Sequence, residues 1–165
     1  MTKNAFDEQR EQRVAGIIEG LKNKPGALLP ILHGIQDSEG YVPESSVVMI
    51  AAELNLSRAE VHGVISFYHH FRTTPPGRHI VQICAAEACQ ARGARQLEAY
   101  AQERLGVAYH ETTADREITL EKVYCLGNCA CGPSVRVDDE ILARVSHERF
   151  DQLVDELTTQ SVEVK

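Results

Sequence analysis

The run Thr73-Thr74-Pro75-Pro76-Gly77 constrains the fold of this 165-residue chain more than any other feature. Two consecutive prolines remove two backbone donors and fix φ, so neither a helix nor a central strand passes through them. The segments on either side follow different periodicities, and the run reads as a linker. Two small domains are therefore expected, residues 1–76 and 77–165.

Before the linker the period is helical. Val14, Ile17, Ile18 and Leu21 fall at i, i+3, i+4 and i+7, and so do Leu28, Ile31, Leu32 and Ile35. Val47, Ile50, Ala51 and Leu54 repeat the pattern, as do Val61, Val64, Ile65 and Tyr68. Each quartet lies on one helix face. Pro25-Gly26 and Gly40 separate segments, Pro43 suits a first helical turn, and Ser57-Arg-Ala-Glu60 is a capping box. Short amphipathic helices bury their apolar faces only against one another, so a helical bundle is expected.

After the linker the pattern alternates. His79–Cys84 reads as a buried strand, Val107–Thr112 and Ile118–Tyr124 as extended segments. Between them Leu97, Tyr100, Ala101 and Leu105 share a helix face that Gly106 ends. Val135 and Val137 pair with Ile141–Val145 across Asp138-Asp139-Glu140, and Ser146 caps a last helix carrying Phe150, Leu153, Val154 and Leu157. Strand, helix, strand, hairpin and helix make a small α/β sandwich, whose sheet order one sequence does not give.

Charge and composition narrow the function. The net charge of −7 argues against a nucleic-acid binder, whose affinity comes largely from basic residues meeting phosphates. Most of the acidic surplus lies after the linker, where residues 79–165 carry a net −6. No apolar run is long enough to span a membrane, and the opening Met1–Arg10 has no apolar signal core. A cytoplasmic protein is expected, in which five cysteines serve as thiols or metal ligands rather than as disulfides.

All five cysteines follow the linker: Cys84, Cys89, Cys125, Cys129 and Cys131. Cys84-Ala-Ala-Glu-Ala-Cys89 and Cys125-Leu-Gly-Asn-Cys129 each straddle a strand end and the loop after it. Loops at strand ends can bring two such pairs together, and four thiolates suit a [2Fe–2S] cluster or a tetrahedral zinc. The wide Cys-x4-Cys spacing and the small residues of Cys125-Leu-Gly127-Asn-Cys129-Ala-Cys131-Gly132-Pro133 favour the cluster. Gly127 and Gly132 would let N–H groups approach sulfur and stabilise the reduced state, a formal trianion where the oxidised one is a dianion. The acidic surplus acts the other way. Cys131, separated from Cys125 by five residues where Cys129 is separated by three, remains an alternative ligand by spacing alone. No Cys-x-x-Cys occurs, which makes thiol–disulfide exchange a weak reading.

These cysteine pairs, followed by Gly132-Pro133, resemble the thioredoxin-like [2Fe–2S] ferredoxins. That family includes the 24-kDa subunit of complex I and its relatives in NAD-reducing hydrogenases and NAD-dependent formate dehydrogenases. Leu29-Pro-Ile-Leu32, Gln36, Gly40-Tyr41-Val-Pro43 and Val61-His-Gly-Val-Ile-Ser-Phe-Tyr68 carry the likeness through the first half. The resemblance implies an α/β chain in which an N-terminal helical bundle precedes a thioredoxin-like domain, with one [2Fe–2S] cluster on Cys84, Cys89, Cys125 and Cys129.

Within the family, Pro25–Pro30, Tyr68-His-His-Phe71, Ala86–Gln90, His110–Asp115 and Cys125–Pro133 resemble the gamma subunit of NAD-dependent molybdenum formate dehydrogenases. The complex I subunit more often has an aliphatic residue where Cys131 stands, which leaves Cys131 a neighbour of the ligands. The implied partners are a flavoprotein subunit holding FMN, the NAD site and a [4Fe–4S] cluster, and a subunit whose molybdenum cofactor oxidises formate. The alternatives are the equivalent subunit of an NAD-reducing hydrogenase or of NADH:quinone oxidoreductase and, from another class, a zinc-stabilised interaction module.

Other signals read more plainly. His62, His69 and His70 suit surface or interface packing, since four cysteines already complete a coordination set. Pro43–Leu54 and Ser57–Tyr68 have helix-turn-helix spacing, but the second segment holds Arg58 as its one basic residue apart from histidine, too little for phosphates and base edges. Phe67, Tyr68 and Phe71 suit core packing or a partner surface. No phosphate loop or GxGxxG appears, so NAD and FMN belong to a partner, and the chain alone is expected to be non-catalytic.

Overall fold

The structure, a computed structural model, describes residues 5–159 and divides between Pro75 and Pro76 into two compact units. The first consists of helices α1 (Ala5–Leu21), α2 (Leu28–Glu39), α3 (Glu44–Leu54) and α4 (Arg58–Phe67). Their apolar stripes meet in one core of Val14, Ile18, Ile31, Leu32, Ile35, Val47, Ile50, Ala51, Val61 and Ile65. Ser57 and Glu60 form the capping box in both directions at the start of α4. Two expectations shift by a residue or so. Pro43 is the extended N-cap of α3 rather than part of its first turn, and its carbonyl accepts from the Ser46 hydroxyl. Tyr68 lies just past α4 and is exposed, while Phe71 fills the core. The buried Gln36 secures that return: its amide donates to the His70 carbonyl, and its oxygen accepts from the Arg72 N–H at 2.7 Å.

The second unit is built on a five-stranded sheet ordered β2-β3-β1-β4-β5. The strands are β1 (His79–Cys84), β2 (Glu111–Thr112), β3 (Ile118–Val123), β4 (Val135–Val137) and β5 (Glu140–Leu142), with helices α5 (Glu87–Gln90), α6 (Ala94–Leu105) and α7 (His147–Thr159). β1 and β3 run parallel; the other pairings are antiparallel. A parallel pair needs a crossover, and α6 lies within it. Val81, Ile83, Ile118, Leu120, Val135 and Val137 point to one face and pack against Leu97, Ala101, Phe150, Leu153 and Val154 of α6 and α7.

The extended segment expected over Val107–Thr112 pairs only at Glu111–Thr112, because Val107 and Tyr109 turn inward against the core instead. The hairpin turn is Asp138-Asp139, with Glu140 already paired opposite Val137. Its second strand ends at Leu142, and Val145 is buried outside the sheet. Among the described residues no helix is long and apolar enough to cross a membrane.

Candidate metal centre at the strand ends

Parallel pairing is what gathers the cysteines. Cys84 is the last residue of β1 and stands opposite Val123, the last of β3, so the loops after both strands leave from one edge. Cys125 sits in the left-handed region directly after Tyr124. The strand ends are laced together by Ala85 N–H to the Val123 carbonyl and Cys84 N–H to the Ser134 carbonyl. Cys89 lies in α5, a single turn whose Gln90 side chain donates back to the Ala85 carbonyl. Cys129 opens a 3₁₀ turn that ends at Cys131.

All five cysteines are free, and four of them form two pairs. Cys84 and Cys89 are buried, each 1% exposed, and pack with Ala94 in a small core of their own. Cys125 and Cys129 are exposed, their sulfurs 3.7 Å apart. Two sulfurs bound to one tetrahedral metal through bonds of about 2.3 Å lie roughly 3.8 Å apart, so this pair already has the bite of a metal ligand set. Among the described residues no three His, Cys, Asp or Glu side chains surround a single point. An arrangement in pairs fits a two-iron centre, where each iron takes two protein ligands.

The electrostatics depend on local donors. Burial alone would push the Cys84 thiol up; N–H groups of Ala86, Leu126 and Cys125 oppose it, and the thiol ends below its ordinary value. Cys89 is pushed up by burial and then by the Cys84 sulfur beside it. Cys129 is pushed up mainly by Cys125. Sulfurs this crowded resist sharing negative charge until a cation joins them. Gly127, at φ 77°, donates its N–H to the Cys125 sulfur at 3.4 Å. Gly132 contributes space: a Cβ there would lie 3.0 Å from the Cys89 sulfur.

The structure thus brings Cys84, Cys89, Cys125 and Cys129 to one edge, with Cys131 on the same 3₁₀ turn as Cys129. It also brings in residues that carried no signal in the sequence. Ser134, 1% exposed, places its N–H and hydroxyl toward Cys89; only its position after Gly132-Pro133 could have pointed to it. His62, His69 and His70 are exposed in the helical unit, where His70 lies 5.2 Å, ring to ring, from His33.

The sequence model of one family, thioredoxin-like [2Fe–2S] ferredoxin, matches residues 14–158. NADH-quinone oxidoreductase subunit 2 of Thermus thermophilus is 34% identical over 119 residues, which is 72% of this chain and 66% of that one. NADP-reducing hydrogenase subunit HndA of Solidesulfovibrio fructosivorans is 29% identical, over 88% of this chain and 85% of its own length. This chain therefore spans about two thirds of the Thermus relative. The fold is also similar to part of the H2-reduced NAD+-reducing [NiFe]-hydrogenase structure, with a TM-score of 0.67 at 21% identity, covering 81% of this chain and 22% of that one.

Proposed function

This chain belongs to the thioredoxin-like [2Fe–2S] ferredoxin family, which carries a [2Fe–2S] cluster, and from that premise we propose that it is an electron-transfer subunit of an NAD-linked oxidoreductase. The observation that carries the reading is the meeting of two cysteine pairs at the ends of parallel β1 and β3. Cys84 and Cys89 hold one iron, Cys125 and Cys129 the other, and Cys131 stays a neighbour. Bound there, the cluster supplies a one-electron store, which suits a partner whose flavin trades two electrons with nicotinamide but single electrons with metal clusters. The chain's own groups keep sulfur in place, shield the inner pair from water, and offer N–H donors that stabilise added negative charge.

The parent complex we infer is a cytoplasmic NAD-dependent formate dehydrogenase. There the subunit sits beside a flavoprotein with FMN, NAD and a [4Fe–4S] cluster, and a molybdenum subunit oxidises formate. The Cys125–Pro133 segment with its Cys131 supports this branch. The relatives named above favour a second reading, the equivalent subunit of a hydrogenase or of an NADH-quinone oxidoreductase. In either, residues 77–165 hold the cluster and the bundle of residues 1–76 docks the partner.

Iron and acid-labile sulfide analysis of the purified chain tests the core of the proposal. Two irons and two sulfides per chain are expected, with an EPR signal on reduction; one zinc in their place would make the chain a zinc-stabilised interaction module. Turnover of the purified assembly on formate, against hydrogen or quinone, separates the parent complexes. The isolated chain should reduce no NAD.

A further inference from the structure

One cleft in the second unit, of about 390 Å³, adjoins the cysteine loops without containing a thiol. Arg92, Arg144 and His147 line it, with the start of α7 at Ser146 and Glu148. Both arginines are tied by their backbones to the cysteine segments: Arg92 N–H donates to the Cys89 carbonyl, and Arg144 N–H to the Cys131 carbonyl. Both side chains are exposed, and among the described residues neither guanidinium is paired with a carboxylate. Arg58, Arg95, Arg116 and Arg136 likewise make no ion pair with a carboxylate among the described residues; what sets Arg92 and Arg144 apart is that both line one cleft and are both anchored on the cysteine loops. Glu148 supplies the cleft's one carboxylate, engaged by the Ser146 hydroxyl. His147 is held flat against Tyr100, ring centroids 4.2 Å apart. The positive end of the α7 dipole adds to the same sign.

We propose that this cleft is the electrostatic seat for an acidic surface segment of the electron-exchange partner, set beside the Cys89 and Cys131 ends of the cysteine loops. The inference rests on the electron-transfer reading above. Two unpaired guanidinia fixed to the cysteine loops would orient an anionic partner with its redox group toward the cysteine end of the sheet. The cost is small, since no internal ion pair has to break first. The exchange moves one electron and no atom, so placement and approach are what the protein must supply.

Two measurements test it on the cluster-loaded full chain. Hexacyanochromate(III), a paramagnetic trianion, should broaden the amide signals of Ser146–Arg149 more than those around Arg58. Arg144→Glu should remove that excess, and Arg58→Glu should leave it. In the reconstituted complex, Arg92→Glu/Arg144→Glu should weaken subunit binding roughly tenfold and flatten its salt dependence. The single Arg144→Glu serves if the double variant loads poorly, and the visible spectrum of the cluster is the check. Broadening that is uniform over the surface, or binding unmoved by charge reversal, overturns the proposal. Saturable binding of free FMN at these arginines would instead make the cleft a phosphate site and equally overturns it. A folded chain that takes up no cluster would sink the electron-transfer reading itself, and its colour would show that before either measurement.

Discussion

A methyl group at position 132 would meet the Cys89 sulfur at 3.0 Å and both Cys89 Cα and Arg92 Cδ at 3.3 Å. Two of those three neighbours belong to a backbone and a ligand that cannot retreat, so Gly132→Ala should lower cluster occupancy, read as iron per folded chain. Gly127 is the contrasting case. Its φ of 77° disfavours a side chain, yet nothing lies within 4 Å of an added Cβ. Gly127→Ala should therefore cost about 1 kcal/mol in stability and keep its cluster. A third comparison concerns the ligands: Cys131→Ser should retain the reduced EPR signal and Cys129→Ser should lose or distort it, and the reverse pattern would exchange their roles. At this scale the sequence exposed the cysteine pairs and the two glycines because spacing and residue type carry those signals. It did not expose Ser134 or the differing burial of the two pairs, which depend on what the fold lays over each sulfur.

Among the elements, the start of α4 was legible to the residue because its cap is written in side chains. Ser57→Ala should cost about 1 kcal/mol, measurable by chemical denaturation, because one helix-end N–H loses its acceptor. α5 and the 3₁₀ turn gave no signal: three or four residues show no period, and both form because loops are pinned at strand ends. The sheet order was equally hidden, since period-two patterning gives faces and not neighbours. Between α1 and α2 an ion pair adds to the shared apolar core. Arg13 donates to both oxygens of Glu39, at 2.7 and 2.8 Å, and holds that carboxyl below the usual range. A lowered carboxyl contributes stability that is present above its ordinary pKa and lost as pH falls through its folded value. Glu39→Gln should thus melt below the native chain at pH 7, and the gap should close as pH falls through the lowered folded value of Glu39.

For the whole chain, the two units draw on different sources of stability. The helical unit rests on one apolar core reached from all four helices. The sheet unit has such a core under α6 and α7, but its cysteine end has only the small cluster around Cys84, Cys89 and Ala94. Little apolar burial holds the Cys125–Pro133 loop, so the bound cluster has to supply the order there, and its binding energy becomes folding energy for that end. Removing iron with a chelator under anaerobic conditions should therefore raise amide hydrogen exchange in residues 84–93 and 124–134. Exchange at Ile31, Ile50 and Val61 of the bundle, and at Val81 and Leu120 of the sheet, should hardly change. A uniform rise across both units would mean that the cluster stabilises the chain as one cooperative whole, and an unchanged pattern would mean that the cysteine loops keep their order without metal.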